Sequence, residues 1–480
     1  MRRLCLFSGG FAMAAALYLI LLHAAPGVLL AALAAVCALL FLLRRPILRR
    51  AAVCVLGLLA GFAWCRGLFL RPFADLSGET AAFSAQALAA PQESSYGQSV
   101  SARLTLDGKS CTAVIYFDEA DGEIRPGSLL SGTAKFTTAQ EKHLRGKDYD
   151  LSRGVFLTAS CRGPLHAEPG RASVRLAPAM LAERLRAAIQ SAFPSDTASF
   201  VQALLLGDKK YLDEEDASNL SEVGLSHVMA VSGLHCCFLA SLIGSLMGDK
   251  RKKLRCAVTI PLIFLYAFVT GLTPSILRAC IMISMGMIAP LLGRDNDPPT
   301  SISFALLLIL LKNPFAIASI SLQLSFSAVS GIIWLTPKLT KRAHGKHKLV
   351  RAALLSFSTT LGAMVFSTPL ACYYFGTLSI VSLLSNLLCL WLVSVVFALG
   401  LLSVLIAAAV PQLGAACAFV PALGIRAVLA IAGLLEELPF HAIYFNTAFS
   451  VAWLAYVYAI FITCALAKRG KYRYFAAGGL

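Results

Sequence analysis

Apolar residues run along this chain in long blocks separated by short polar stretches. About twelve blocks approach the ~20 residues a helix needs to cross a bilayer. They lie near 4–24, 27–43, 51–70, 226–248, 256–272, 275–293, 300–312, 315–335, 352–375, 380–410, 412–435 and 447–467. The pattern predicts a polytopic α-helical membrane protein of about 11–12 spans. The block at 300–312 is short for a crossing and fits a re-entrant segment, and the long block at 380–410 offers Ser385 and Asn386 as a break. The first block follows Met-Arg-Arg like a signal peptide, but His23-Ala24-Ala25 before Pro26 is a poor cleavage site, so it is read as a span.

Between 71 and 225 no apolar run reaches spanning length. Residues 72–170 read as β: 100–106, 111–117, 128–136 and 154–160 are short, rich in β-branched or aromatic residues, and partly alternating. Turn chemistry separates them at 107–109 and 118–127. Strands this short suit a small barrel such as an OB-fold, although propensity alone leaves a sandwich open. Residues 181–193 and 198–208 show helical apolar spacing, and an acidic run, Asp213–Asp216, follows. Helices lying on the membrane face are the expectation for this stretch. The chain thus divides into an N-terminal three-helix region (1–70), a β domain (71–170), linker helices (171–225) and a multi-helix region (226–480).

Composition supports the membrane class. Of 480 residues 58% are hydrophobic and only 14% charged, with mean hydropathy +0.74; soluble domains carry about 25% charged residues. The net charge of +17 could mean a nucleic-acid partner, an anionic membrane surface or only basic cytoplasmic loops. Location favours the loops. Basic clusters stand at Arg2–Arg3, Arg44–Arg50, Lys250–Arg255, Lys338–Arg351 and Lys468–Arg473, all on one side if twelve spans alternate from a cytoplasmic N-terminus. That orientation puts both termini in the cytoplasm and 71–225 outside, where 16 Lys+Arg against 20 Asp+Glu give −4. Two of the 14 cysteines, Cys111 and Cys161, fall in the outer segment, and a disulfide between them is expected there. The others, with Cys236 and Cys237, read as small apolar packing residues. No spacing resembles a zinc motif, so no bound metal is expected.

Polar residues within apolar blocks are the candidates for function. The segment 226–235 holds His227, Ser232, Gly233 and His235. A shared metal fails in a continuous helix, because positions i and i+8 are about 12 Å apart; a break at Gly233 would be needed. A serine hydrolase with His235 as base lacks a visible oxyanion site. Polar groups lining a wet cavity or gripping a neighbouring helix remain the favoured reading. In 271–282, Pro274 suits a helix start, and Arg278 either snorkels outward or faces an aqueous path. Lys312 and Arg426 are further cations for such a path. Isolated cations suit passing phosphates better than tight binding does. Gln323, Ser327 and Ser330 share a helix face, for which packing is the usual explanation, and Asn386 is a further helix contact or break.

Taken together, His-Val-Met-Ala-Val-Ser-Gly-Leu-His (227–235), Gly-Leu-Thr-Pro-Ser-Ile-Leu-Arg-Ala-Cys-Ile-Met (271–282), Gly-Arg-Asp (293–295) and Leu-Gln-Leu-Ser-Phe-Ser-Ala-Val-Ser-Gly (322–331) resemble the ComEC-type competence proteins. Lys147-Asp148-Tyr149-Asp150 before Gly154-Val155-Phe156 looks like the end of that family's outer OB-like domain. The resemblance implies a channel in the bacterial inner membrane that passes single-stranded transforming DNA into the cytoplasm. It carries over to His227, Ser232, Gly233, His235, Pro274, Arg278, Gln323 and Ser325. Implied partners are single-stranded DNA, membrane lipid, a DNA receptor outside, a cytoplasmic translocase and a separate nuclease. Many members continue into a metallo-β-lactamase-like domain, and no His-x-His-x-Asp-His run occurs here. Neither enzymatic activity nor a cofactor is therefore expected. A transporter for a small anionic or lipid-like solute is the alternative, and an intramembrane serine hydrolase a more distant one.

Overall fold

The computed structural model describes residues 3–20, 46–69, 78–94, 97–106, 109–138, 141–142, 149–170, 176–248, 251–340 and 347–444. The expected spans at 27–43 and 447–467 lie outside these residues. Helices, one small β barrel and a separate two-stranded sheet make up the described chain. Among the described residues, five helices are long and apolar enough to cross a membrane: Pro274–Leu292, Ile320–Leu339, Val350–Phe375, Ser382–Ala407 and Pro411–Glu436. The chain is a multi-pass membrane protein.

Two compact units divide the chain. The first comprises Met1–Ser191, Ser232–Leu322 and Val404–Pro411, and the second Ala192–Val231, Gln323–Ser403 and Gln412–Leu480. The expected single region 226–480 is thus shared between them, and part of the linker belongs to the second.

In the first unit, strands β1 (Thr80–Ala87), β2 (Gln92–Ser94), β3 (Gly97–Leu106), β4 (Lys109–Phe117), β5 (Ala120–Asp121), β6 (Leu129–Thr138), β7 (Leu157–Cys161) and β8 (Leu165–Glu168) form one sheet. It closes on itself. β1 pairs with β3, β3 with β4, β4 with β7, β7 with β6, and β6 returns to β1. Only the β4–β7 contact of this ring is parallel. Closure removes the free edges that an open sheet would expose. Alternation drives it: Phe83, Val100, Leu104, Ile115, Phe117, Leu130, Phe136 and Leu157 all point into one core. Large and small residues interlock there. Phe83 faces Gly132 and Phe136 faces Ala159 across their ladders, and the two rings meet edge to face at 6.4 Å.

Strand β1 escaped the sequence reading because TAAFSAQA is rich in Ala and Ser, which have little intrinsic strand preference. Strand β7 begins only at Leu157, three residues later than expected, because Phe156 packs edge-on against Phe315 at 6.2 Å instead.

The expected Cys111–Cys161 disulfide is a correction. Both thiols are free. β4 and β7 run parallel with Ala113 beside Leu157 and Tyr116 beside Ser160, which puts Cys111 and Cys161 at opposite ends of the pair. A disulfide needs Cα atoms within about 7 Å, and a parallel offset of this kind spans several residues at ~3.3 Å each. Each thiol packs against the barrel core, and burial pushes both up to about 11.

Helices α1 (Arg3–Ile20) and α2 (Pro46–Phe69) pack tightly, because a side chain at Gly10 or Gly57 would collide with the Cys54 or Phe7 carbonyl of the facing helix. Helix α3 (Tyr149–Ser152), between β6 and β7, lies on the 3-10 turn Pro314–Ala318. Leu151, Phe315, Tyr18 and Phe62 form one buried cluster there. The Asn313 side-chain nitrogen donates to the carbonyls of Leu151 at 3.1 Å and Ser152 at 3.0 Å, while its oxygen accepts from Phe315 N at 3.1 Å.

Helix α4 (Ala177–Ala192) follows β8 in the chain. In the second unit α5 (Ser195–Leu206) is buried along most of its length, from Thr197 to Leu206, rather than lying on a surface as expected. A helix apolar on nearly every side belongs in a core. Helix α6 (Glu214–Glu222) is capped by Asp213, whose carboxylate accepts from Glu215 N at 3.1 Å. The acidic run is therefore a helix start.

Two outcomes are expected. After denaturation without reductant, both Cys111 and Cys161 should alkylate fully, and a mass spectrum containing a 111–161 cross-linked peptide would overturn the assignment. Asn313→Ala should remove the side-chain donor to the Leu151 and Ser152 carbonyls and cost about 1–3 kcal/mol; limited proteolysis should show faster cleavage around residues 149–156.

Candidate functional site

The segment 226–248 is not one helix. Helix α7 (Ser226–Met229) ends at Ala230, whose backbone is extended, and α8 (Gly233–Met247) begins after an extended Ser232. The break also marks the passage from the second unit to the first. His227 therefore stands apart from the other three candidates. It is exposed, with Nδ1 3.1 Å from the Gly224 carbonyl.

Ser232 and His235 cap α8 reciprocally. Ser232 Oγ accepts from Leu234 N at 3.3 Å, and His235 Nδ1 accepts from Ser232 N at 3.0 Å. Histidine takes the position that Glu or Gln holds in the usual capping box. This arrangement fixes the tautomer, because a nitrogen that accepts a backbone N–H bears no proton of its own. Ser232 Oγ lies only 3.3 Å from the same Nδ1. An imidazole nitrogen has one lone pair in the ring plane, and here the backbone occupies it.

Gly233 opens α8 where another chain passes close. A Cβ there would sit 2.6 Å from Arg278 Nη2 and 3.0 Å from Ala279 Cβ. Helix α10 (Pro274–Ile288) supplies this contact; it begins at Pro274, as expected, and carries Arg278 one turn in. Helix α9 (Lys252–Val269) packs against both α8 and α10. Arg278 does not snorkel: it is 7% exposed. Cys236 and Cys280 meet beside it with sulfurs 3.7 Å apart, and Cys280 approaches the Ile263 carbonyl at 3.4 Å. Cys237, expected to pack, is exposed.

The site thus combines a buried guanidinium with the N-terminal ends of two helices. Both ends carry the partial positive charge of a helix dipole, and at α8 the Ser232–His235 cap already takes up Leu234 N and Ser232 N. Such a location favours anions.

The remaining candidates are dispersed. Lys312 is the exposed last residue of α11 (Pro298–Lys312), where the helix dipole favours a cation. On α12 (Ile320–Leu339), Gln323 Oε1 accepts from the Tyr374 hydroxyl of α13 (Lys348–Phe375) at 2.7 Å. That is a helix-to-helix contact. Ser325 is half-buried, and Ser327 bonds back to the Leu324 carbonyl of its own helix at 3.0 Å. Ser385 and Asn386 do not break the helix that carries them: α14 (Ser382–Ala407) is continuous and has both in its first turn. Ser385 donates to the Val223 carbonyl at 2.6 Å, and Asn386 is buried. Arg426, on α15 (Pro411–Glu436), is half-exposed and paired with Asp196 at 2.9 Å. Sequence reasoning missed that pairing because 230 residues separate the partners.

Comparison with known proteins bears on these residues. The chain is 31% identical over 179 residues to ComE operon protein 3 of Bacillus subtilis (strain 168), covering 36% of this chain and 22% of that protein. It is 32% identical over 143 residues to the uncharacterized protein YcaI of Escherichia coli (strain K12), covering 28% of this chain and 19% of that one. The matched part therefore spans about a fifth of these relatives' length. No solved structure matches the chain significantly. The family described as Competence protein matches residues 204–470, which include α8, α10 and the capped turn between Ser232 and His235. With more than half of its length inside that match, the chain belongs to the Competence protein family.

Proposed function

We propose that this chain forms an inner-membrane path through which single-stranded DNA passes into the bacterial cytoplasm during natural competence. The observation that carries this reading is Arg278, buried beside Gly233 at the start of α8 and one turn into α10. A guanidinium held beside two helix N-termini stands where both dipoles favour an anion next to it. The same arrangement attracts a phosphate, because charge, N–H donors and the bidentate fork of arginine act together. One such group holds a passing phosphodiester briefly without trapping it. Strong, repeated sites would oppose release.

The β barrel is placed outside the membrane on this reading, in keeping with the basic clusters that bound the apolar helices on the other side. Its closed five-stranded ring with a single parallel contact supports an OB-type assignment. Exposed Tyr149, with the Arg153 guanidinium 5.3 Å from its ring centre, offers a stacking surface for unpaired bases. A receptor outside and a translocase inside would deliver and pull the strand, and a separate nuclease would degrade its complement. Ser232 and His235 act on this reading as a helix cap and not as a nucleophile and base, because the imidazole lone pair is committed to the backbone.

Cytoplasmic arrival of labelled DNA should vanish when the gene is deleted. It should fall roughly tenfold in Arg278→Ala, equivalent to about 1.4 kcal/mol, with the protein still in the membrane, and recover partly in Arg278→Lys. Normal uptake in Arg278→Ala would end the phosphate role. Ser232→Ala should weaken the α8 cap by about 1 kcal/mol and leave most uptake intact. Complete loss of uptake with an intact fold would instead favour a hydrolase.

A further inference from the structure

We propose that Glu222, Glu436 and His441 bind a divalent transition-metal ion, zinc(II) in particular, at a site in the second unit. The three residues come from separate elements. Glu222 is the last residue of α6, Glu436 the last of α15, and His441 directly precedes the strand β10 (Ala442–Tyr444), which pairs with β9 (Thr377–Ser379). One ligand atom from each lies within 4.8 Å of the other two, and all three side chains are half-buried. Zinc bonds nitrogen and oxygen at about 2.0–2.2 Å, so small side-chain rotations suffice to close the set around an ion.

The orientation of the imidazole points the same way. His441 Nδ1 lies 3.1 Å from the Leu438 carbonyl, a group that only accepts, so Nδ1 carries a proton. Nε2 is thereby presented to Glu222 Oε2 at 2.8 Å. Metal-bound imidazoles are typically oriented by just this outer hydrogen bond to a carbonyl.

Charge provides a further, independent argument. Both carboxylates sit at helix C-termini, where each dipole adds about half a negative charge. Glu437 stands next in the chain, and the Tyr444 hydroxyl bonds Glu222 without supplying charge. Two ligand carboxylates and two helix ends thus converge on one imidazole, which contributes at most a single positive charge. A divalent cation balances this accumulation. Because one donor is an imidazole, a borderline ion is preferred over Mg2+ or Ca2+, which favour all-oxygen sets. Three protein ligands leave a position for water. The ligands are far apart in sequence, so no linear zinc motif announces them.

The full chain, purified in detergent and stripped with a chelator, would be titrated with Co2+ and followed by visible absorption, then displaced with Zn2+. About one equivalent should give a spectrum of nitrogen and oxygen ligation, without the charge-transfer band of thiolates, and zinc should abolish it. Glu436→Gln and His441→Gln, which keep side-chain volume, should each weaken binding by roughly a hundredfold. A folded wild-type chain that shows no such spectrum, or only a thiolate band from its cysteines, overturns the site. So does equal binding by wild type and both variants, which would leave Glu222 and His441 as an ion pair alone. Should a variant fail to fold, the wild-type spectrum decides.

Discussion

Two backbone carbonyls at the end of a four-residue helix, those of Leu151 and Ser152, both accept from the side chain of Asn313, and Leu151 accepts from Gly154 N as well. So short a helix cannot satisfy its own last carbonyls. Asn313 ends one apolar helix and caps the 3-10 turn that follows, so the same residue ties the β6–β7 connection of the barrel to the apolar helix α11. Around it Leu151, Phe156 and Phe315 join Tyr18 and Phe62, and the rings of Tyr18 and Phe315 stand 6.3 Å apart. Directional bonds set the register of this junction and apolar burial supplies most of its energy, at about 25 cal/mol per Å2. The first unit is one body because these terms coincide.

The same economy governs polar groups elsewhere. An amide, hydroxyl or imidazole inside an apolar bundle must be bonded or it costs several kcal/mol. Ser232 with His235, Gln323 with Tyr374, and Ser385 with the Val223 carbonyl each meet that demand by joining chain segments. Arg278 differs in kind. Its guanidinium is buried against a glycine at a helix start, where backbone electrostatics favour the opposite charge.

The second unit concentrates charge at its helix ends instead. Asp196 opens α5, at an end where an acid is favoured, and is held further below the usual carboxylate range by the Arg426 guanidinium. Glu222 and Glu436 occupy ends where acids are disfavoured, beside His441. A carboxylate thus has opposite electrostatic meaning according to which helix end it occupies.

The sequence by itself determined the membrane class, the β character of the segment after the first helices, the helix start at Pro274 and the motifs on which the family resemblance rests. Composition, period and turn chemistry are local properties, and they act before any tertiary contact exists. Tertiary structure alone decided the rest. The break between Met229 and Gly233 depends on a reciprocal cap that apolar content does not reveal. Barrel closure needed the Ala-rich β1, which a partner strand stabilises more than its own propensity does. The strand order placed Cys111 and Cys161 at opposite ends of parallel neighbours. Arg426 found Asp196, and His441 found Glu222, across more than two hundred residues. Pairings of that range depend on chain topology, and topology is set by the packing of whole elements, which no local pattern encodes.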